Sequence, residues 1–145
     1  MTTAYESANL LLQLYEMRRE AKMREARDWY AFRFNPGTFQ DVAAMLGSPD
    51  NARFRMVITY WDMAAALVNH GAIDERLFAD ANSEHVMAFA KIEPFLPDLR
   101  VAMGNPAFAG QLERLVMRLP DATTRLAALR EQFRALGARF AAAAG

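Results

Sequence analysis

Arg53-Phe54-Arg55-Met56-Val57-Ile58-Thr59-Tyr60-Trp61-Asp62-Met63-Ala64-Ala65-Ala66-Leu67-Val68-Asn69-His70 runs into the turn Gly71-Ala72-Ile73-Asp74, and this stretch decides the fold. At helical spacing, Phe54, Val57, Trp61, Ala64 and Val68 form one apolar stripe. Met56, Tyr60, Met63 and Leu67 form a second beside it, which leaves only Arg55, Thr59, Asp62 and Asn69 as a narrow polar stripe. A helix apolar on nearly every side must be enclosed by other helices. Gly71 then stands where a helix end favours a left-handed residue, and Asp74 caps the next helix.

Outward from this segment, start and stop signals for helices recur and strand alternation is absent. A first helix is expected from Thr3 to Arg33, apolar early (Leu10, Leu11, Leu12, Leu14, Tyr15, Met17) and aromatic at its end (Trp29, Tyr30, Phe32). Asn35-Pro36-Gly37 breaks the chain, and Thr38 with Asp41 forms a capping arrangement for a short helix ended by Gly47. Ser48-Pro49 opens the central helix. Asn82 or Ser83 caps a later helix, which Pro94 and Pro97 divide near Glu93. Asn105-Pro106 opens a helix to Leu119, and Pro120-Asp121 opens the last. Phe108, Leu112, Leu115 and Leu119, then Leu126, Leu129, Phe133, Leu136 and Phe140, follow the spacing of a packing seam. The expected architecture is all-α: one antiparallel helical bundle over residues 1–145, with a long N-terminal helix and a C-terminal helical hairpin. Fraying is expected from Ala141 onward.

Composition supports a packed core and removes several chemistries. The chain has 145 residues, 53% of them hydrophobic, with ten Phe and nine Met. A domain of this length can bury about 68–70% of its unfolded surface. Without cysteine there are no disulfides, thiolate ligands or cysteine nucleophiles. Seventeen basic residues balance seventeen acidic ones, so nucleic acid finds no long-range attraction. Fifteen of the seventeen cations are arginine and only two, Lys22 and Lys91, are lysine. The N-terminus lacks the pattern of a signal peptide, and the apolar run from Ala8 to Tyr15 is far short of the ~20 residues of a spanning helix. The chain reads as soluble and cytoplasmic.

Motifs for catalysis are missing. The two histidines, His70 and His85, belong to no Glu-x-x-His or His-Glu-x-x-His pattern, so no metal and no cofactor is expected. His70 fits a helix C-terminus, where a cation meets unpaired carbonyls; His85 reads as a surface or second-layer residue. Ser7, Ser48 and Ser83 sit in capping or terminal contexts, and no glycine-rich phosphate loop occurs. Asp62 could be a carboxylate with a perturbed pKa lining a pocket, but an arginine pair or the polar stripe explains it more simply. Tyr60, Trp61, Asp62 and His70 are the pocket candidates.

Two further pieces complete a pattern: Leu10-Leu11-Leu12-Gln13-Leu14-Tyr15-Glu16-Met17-Arg18-Arg19, before the basic-polar stretch, and Tyr60-Trp61-Asp62 with Gly71-Ala72-Ile73-Asp74 after it. Their order resembles a group of uncharacterised bacterial helical proteins built on a domain of unknown function. Members often carry a longer first helix that anchors them in a membrane, which this chain lacks. The resemblance implies a compact helical domain and no known activity, so it supplies no catalytic residue.

The reading that follows is a non-enzymatic helical interaction domain, most simply a homodimer, with Leu11, Tyr15, Leu129 and Phe133 as contact candidates. The first helix is hard to cover within one small domain. A weak contact of that helix with a membrane surface is a further expectation, since the apolar run lies beside Arg18, Arg19, Lys22, Arg24 and Arg27. Interleaved Glu16, Glu20, Glu25 and Asp28 favour a solvated face instead. The alternative is a small-molecule binding protein or enzyme with an apolar pocket between helices.

Overall fold

A computed structural model describes residues 2–144, and every regular element among them is helical. The elements are α1 (Ala4–Arg18), α2 (Ala21–Phe32), α3 (Phe39–Leu46), α4 (Asn51–Asn69), α5 (Glu75–Ala81), α6 (Glu84–Ile92), a 3-10 turn (Glu93–Phe95), α7 (Leu96–Met103), α8 (Gly110–Val116) and α9 (Ala122–Ala144). The all-α bundle expected from the sequence is the observed fold. No helix among the described residues is long and apolar enough to cross a membrane.

α4 is the central element, packed against α2 and α8, with α6 behind it. Its first apolar stripe is wholly buried, from Phe54 through Val57, Trp61 and Ala64 to Val68. The second is not enclosed: Tyr60 is buried, but Met56 and Met63 lie exposed. The turn that follows behaves as its residues require. Gly71 has φ +81°, a left-handed value without strain for glycine, and the Asp74 side chain accepts from the Leu77 amide at 2.9 Å. The turn also receives the start of α1, where the Asp74 amide donates to the buried Ser7 Oγ at 3.1 Å.

The continuous first helix expected from Thr3 to Arg33 is two helices. Arg19 ends α1, and the Glu20 side chain begins α2 by accepting from the Met23 amide at 3.0 Å. The Arg27 Nη1 returns to donate to the Arg18 carbonyl at 3.1 Å, so a terminal carbonyl of α1 is satisfied by the helix that leaves it. The break lets α2 turn onto α4 while α1 stays outside, tied by the Tyr60 hydroxyl donating to the Leu14 carbonyl.

The C-terminal elements also depart from the expected hairpin seam. α8 starts only at Gly110, because Asn105–Ala109 form turns, and it packs on α4 and α6. α9 crosses α6 and α2 instead, burying Ala122 and Leu126, and remains helical to Ala144. Two close fits set its path. The Arg130 Nη1 donates to the Ala90 carbonyl at 2.8 Å, and at Gly137 the helix comes so near α2 that an added Cβ would lie 2.6 Å from the Phe32 carbonyl oxygen.

Where α2, α6 and α9 meet, Lys91 is only 3% exposed. Its Nζ donates to the carbonyls of Tyr30 at 2.7 Å, Ala31 at 2.8 Å and Phe34 at 2.8 Å, which closes the C-terminal end of α2. The Phe133 ring of α9 covers the ammonium, with 5.2 Å from Nζ to its centroid. Burial pulls the Lys91 pKa down to about 7. The carbonyls oppose that pull, since only the protonated amine has a third N–H to donate.

Lys91→Met keeps the apolar stem but leaves three buried carbonyls unpaired, so it should cost about 3–5 kcal/mol by the cost of stripping one partner from a buried polar group. Urea unfolding followed by circular dichroism measures this. A loss under about 1 kcal/mol would show that water or a backbone shift replaces the ammonium. Gly137→Ala should destabilise by about 1–3 kcal/mol through the same measurement, because the obstructing atom is backbone and cannot swing away.

Candidate functional site

The four pocket candidates do not converge on one cavity. Tyr60 and Trp61 are buried in the core, where their rings meet edge to face at 4.8 Å. Burial raises the Tyr60 pKa, so its hydroxyl stays a neutral donor to Leu14. Asp62 is half-buried, and its Oδ1 accepts from the Leu112 amide at 2.9 Å. That amide is the third of α8, whose own N-cap residue, Ala109, has φ +58° and no side chain able to cap. Asp62 therefore caps α8 from a neighbouring helix, a role that neither an arginine pair nor a free carboxylate describes. His70 ends α4 as an exposed residue, its backbone amide bonded to the Ala66 carbonyl.

His85, read as a surface or second-layer residue, is buried against Trp61 and Phe78. Desolvation, and secondarily the positive charge of Arg125, lowers its pKa to about 4. It is held as a neutral imidazole, packed as an aromatic ring. No group of three or more metal-ligating side chains occurs among the described residues.

Asp62 also lines an open depression of about 860 Å³ with Arg100, Arg114 and Arg118; two other surface features take in the interaction candidates. The first is α1 itself, which buries only Ser7 and Leu14. Tyr5, Leu12 and Tyr15 face outward, and Leu11 lies half-buried against the core. On the other flank Met17 meets α2 and α4 in a concavity of about 580 Å³ lined by Met17, Glu20, Met23, Met56, Tyr60 and Met63. Two guanidiniums lie near the Tyr15 ring, Arg18 at 5.1 Å and Arg19 at 5.7 Å from its centroid.

The second is a groove of about 730 Å³ between α2, α6 and α9. Its walls include Phe32, Met87, Leu129 and Phe133, and its charged lining is Arg18, Arg27, Arg125, Asp28 and Glu84. Glu84 serves two of these cations, Arg27 at 2.9 Å and Arg18 at 4.0 Å. Leu129 and Phe133, nominated with Leu11 and Tyr15 as one contact set, thus belong to a separate surface, linked to Tyr15 only through Arg18. Sequence reasoning missed this groove, because its three arginines are scattered over more than a hundred residues.

A family model described as a domain of unknown function, DUF4760, matches residues 3–119. The chain belongs to the DUF4760 family. The matched stretch takes in α1 through α8, including the α1 surface and the methionine concavity, whereas α9 lies beyond it. The DUF4760 portion therefore supplies two walls of the groove and α9 the third. No curated protein matches the chain, and no solved structure does.

The buried imidazole makes stability depend on pH. Between pH 6.5 and about 4 the unfolded chain binds a proton at His85 that the folded chain refuses, so stability falls as pH drops through this window. The shift corresponds to about 3 kcal/mol. Urea midpoints taken across the window should fall in the native chain and fall distinctly less in His85→Phe; parallel curves would assign the acid sensitivity to other groups.

Proposed function

We propose that this DUF4760 domain is a non-enzymatic interaction domain that self-associates, with α1 and the methionine concavity at its end as the contact surface. The observation that carries the reading is the poor coverage of α1. Its Tyr5, Leu12 and Tyr15 are 76%, 63% and 47% exposed, and Met17 lies open beside Met56 and Met63. Single exposed apolar residues need no explanation, but α1 carries two groups of them, Tyr5, Leu12 and Tyr15 on its outward side and Met17 beside Met56 and Met63 on its other flank, more exposed apolar surface than one helix of a closed domain requires. A tyrosine with arginines beside it suits a contact centre, and methionines adapt to the shape of what docks on them.

A second copy is the simplest partner. The net charge is zero, so copies do not repel at neutral pH. The C-terminal end of α1 and the start of α2 mix both signs, Glu16, Arg18, Arg19, Glu20, Lys22, Arg24 and Glu25, so a two-fold pairing can set acids of one copy against bases of the other. Seven residues line the concavity, well short of the roughly 20–30 a side of a stable interface, so the contact must extend along α1 to Leu12 and Tyr15.

Sedimentation velocity from about 5 to about 500 µM tests the proposal, the range in which a weak dimer becomes visible. The native chain should shift from monomer to dimer. Tyr15→Glu and Leu12→Glu should each weaken the dimer by about 10-fold or more while changing stability by less than about 0.5 kcal/mol, since both side chains are exposed. A monomer across the whole range would end the reading. A dimer indifferent to both substitutions would move the contact away from α1.

A further inference from the structure

We propose that the methionine concavity beside α1 is an oxidation site, at which hydroperoxides turn Met17, Met56 and Met63 into sulfoxides and so release the α1 contact. This regulation rests on the self-association reading and acts at the same surface. Among the described residues four methionines are exposed, Met17, Met56, Met63 and Met117, each between 38% and 49%. Met23, Met45 and Met87 are at most 7% exposed. Three of the four accessible thioethers, one from α1 and two from α4, line the one concavity. Met117 stands apart, in the arginine-lined depression that also holds Asp62.

The chain has no cysteine, so no thiolate competes for peroxide, and methionine sulfur is the group that a hydroperoxide meets. The sulfur lone pair attacks the terminal peroxide oxygen. An S–O bond forms as the O–O bond breaks, the sulfur is oxidised by two electrons and the peroxide reduced. The displaced oxygen leaves as water or an alcohol, taking the proton of the transferred hydroxyl. Such an attack needs an open approach to the sulfur, which the buried methionines lack.

Each sulfoxide exchanges an adaptable apolar side chain for a polar one with a strong acceptor oxygen. In the open monomer water solvates that oxygen. In a docked pair it must find a donor or be buried without one, which is costly. The concavity has no side-chain donor to spare. Besides its four methionines it is lined by Glu20, Thr59 and Tyr60. The Thr59 hydroxyl donates to the Arg55 carbonyl at 2.6 Å and the Tyr60 hydroxyl to the Leu14 carbonyl. Glu20 is an acceptor, already engaged by the Met23 amide at 3.0 Å. Oxidation and docking therefore compete for the same three sulfurs: a docked copy shields them, and an oxidised copy docks poorly.

The test treats the full chain with hydrogen peroxide, following each methionine by peptide mass spectrometry and the dimer by sedimentation velocity. At about 5 µM, where monomer prevails, Met17, Met56, Met63 and Met117 should gain oxygen at least ~10-fold faster than Met23, Met45 and Met87. At about 500 µM the first three should be slowed and Met117 should not. The oxidised chain should dimerise ~10-fold more weakly with its circular dichroism unchanged, which separates a lost contact from a lost fold. A variant carrying Met17→Leu, Met56→Leu and Met63→Leu keeps the apolar volume, so its dimer should be the same before and after peroxide. Oxidation spread evenly over exposed and buried methionines, shielding of Met117 along with the other three, or loss of the leucine variant's dimer in peroxide would each overturn the proposal. A native dimer that survives peroxide yet yields to Tyr15→Glu sinks this proposal alone. A chain monomeric before any peroxide is added ends the α1 reading and this regulation together.

Discussion

One buried ammonium organises the junction on which the bundle depends. The C-terminal carbonyls of α2 belong to buried residues, Tyr30, Ala31 and Phe34, in a site covered by α6 and α9. Left unpaired there, they would cost more than any single apolar contact nearby returns. Lys91 answers three of them from the adjacent helix, and the dipole of α2 favours the positive charge it brings. A planar guanidinium would spread its donors in a fork, whereas an ammonium directs three from a single point toward three converging oxygens. A chain with only two lysines uses one of them here. Phe133 lies over the charge, so the position of α9 follows from the same interaction.

The surface has a division of labour that follows from this packing. α2, α4, α6 and α8 pack on one another, and Tyr30 of α2 and Phe54 of α4 join Phe34 and Phe108 from the turns beside them in one aromatic cluster, to which α1 contributes nothing. α1 is displaced to the outside as a result, with its apolar residues only partly used. α9 does the opposite: it buries few side chains but shapes a groove by bridging two helices at a distance. The exposed α1 face and the groove are therefore separate products of one core.

Much of the fold was legible because its signals are local. The stripe of Phe54, Val57, Trp61, Ala64 and Val68, the left-handed Gly71, the Asp74 cap and the Thr38–Asp41 capping box each involve residues within one or two turns. What escaped is set by distance. Nothing between Arg18 and Ala21 breaks a helix by propensity, and the break is held by Arg27, which returns from the next helix. Asp62 caps an amide fifty residues away, and Lys91 looks like the polar edge of an amphipathic helix until its three carbonyls are seen. The outward Met56 and Met63 carry the same lesson, since apolar periodicity shows which residues could be buried, not which are. Leu11 and Tyr15 were named from a local apolar run, and the structure leaves Tyr15 exposed and Leu11 half-buried. The groove was not legible, because Arg18, Arg27 and Arg125 meet only once the chain is folded.

The moorings of α1 give it a mechanical character of its own. Ser7 fastens one end to the turn before α5, and the Tyr60 bond to Leu14 with the Arg27 clasp fastens the other. Between these points the helix has partly buried leucines but no fully enclosed side chain. Such a segment can detach as a unit at a free energy below that of global unfolding, and its central amides would exchange with solvent by that route while α4 and α6 stay closed. A docked partner would then register as slowed exchange confined to α1, so the helix reports its own occupancy.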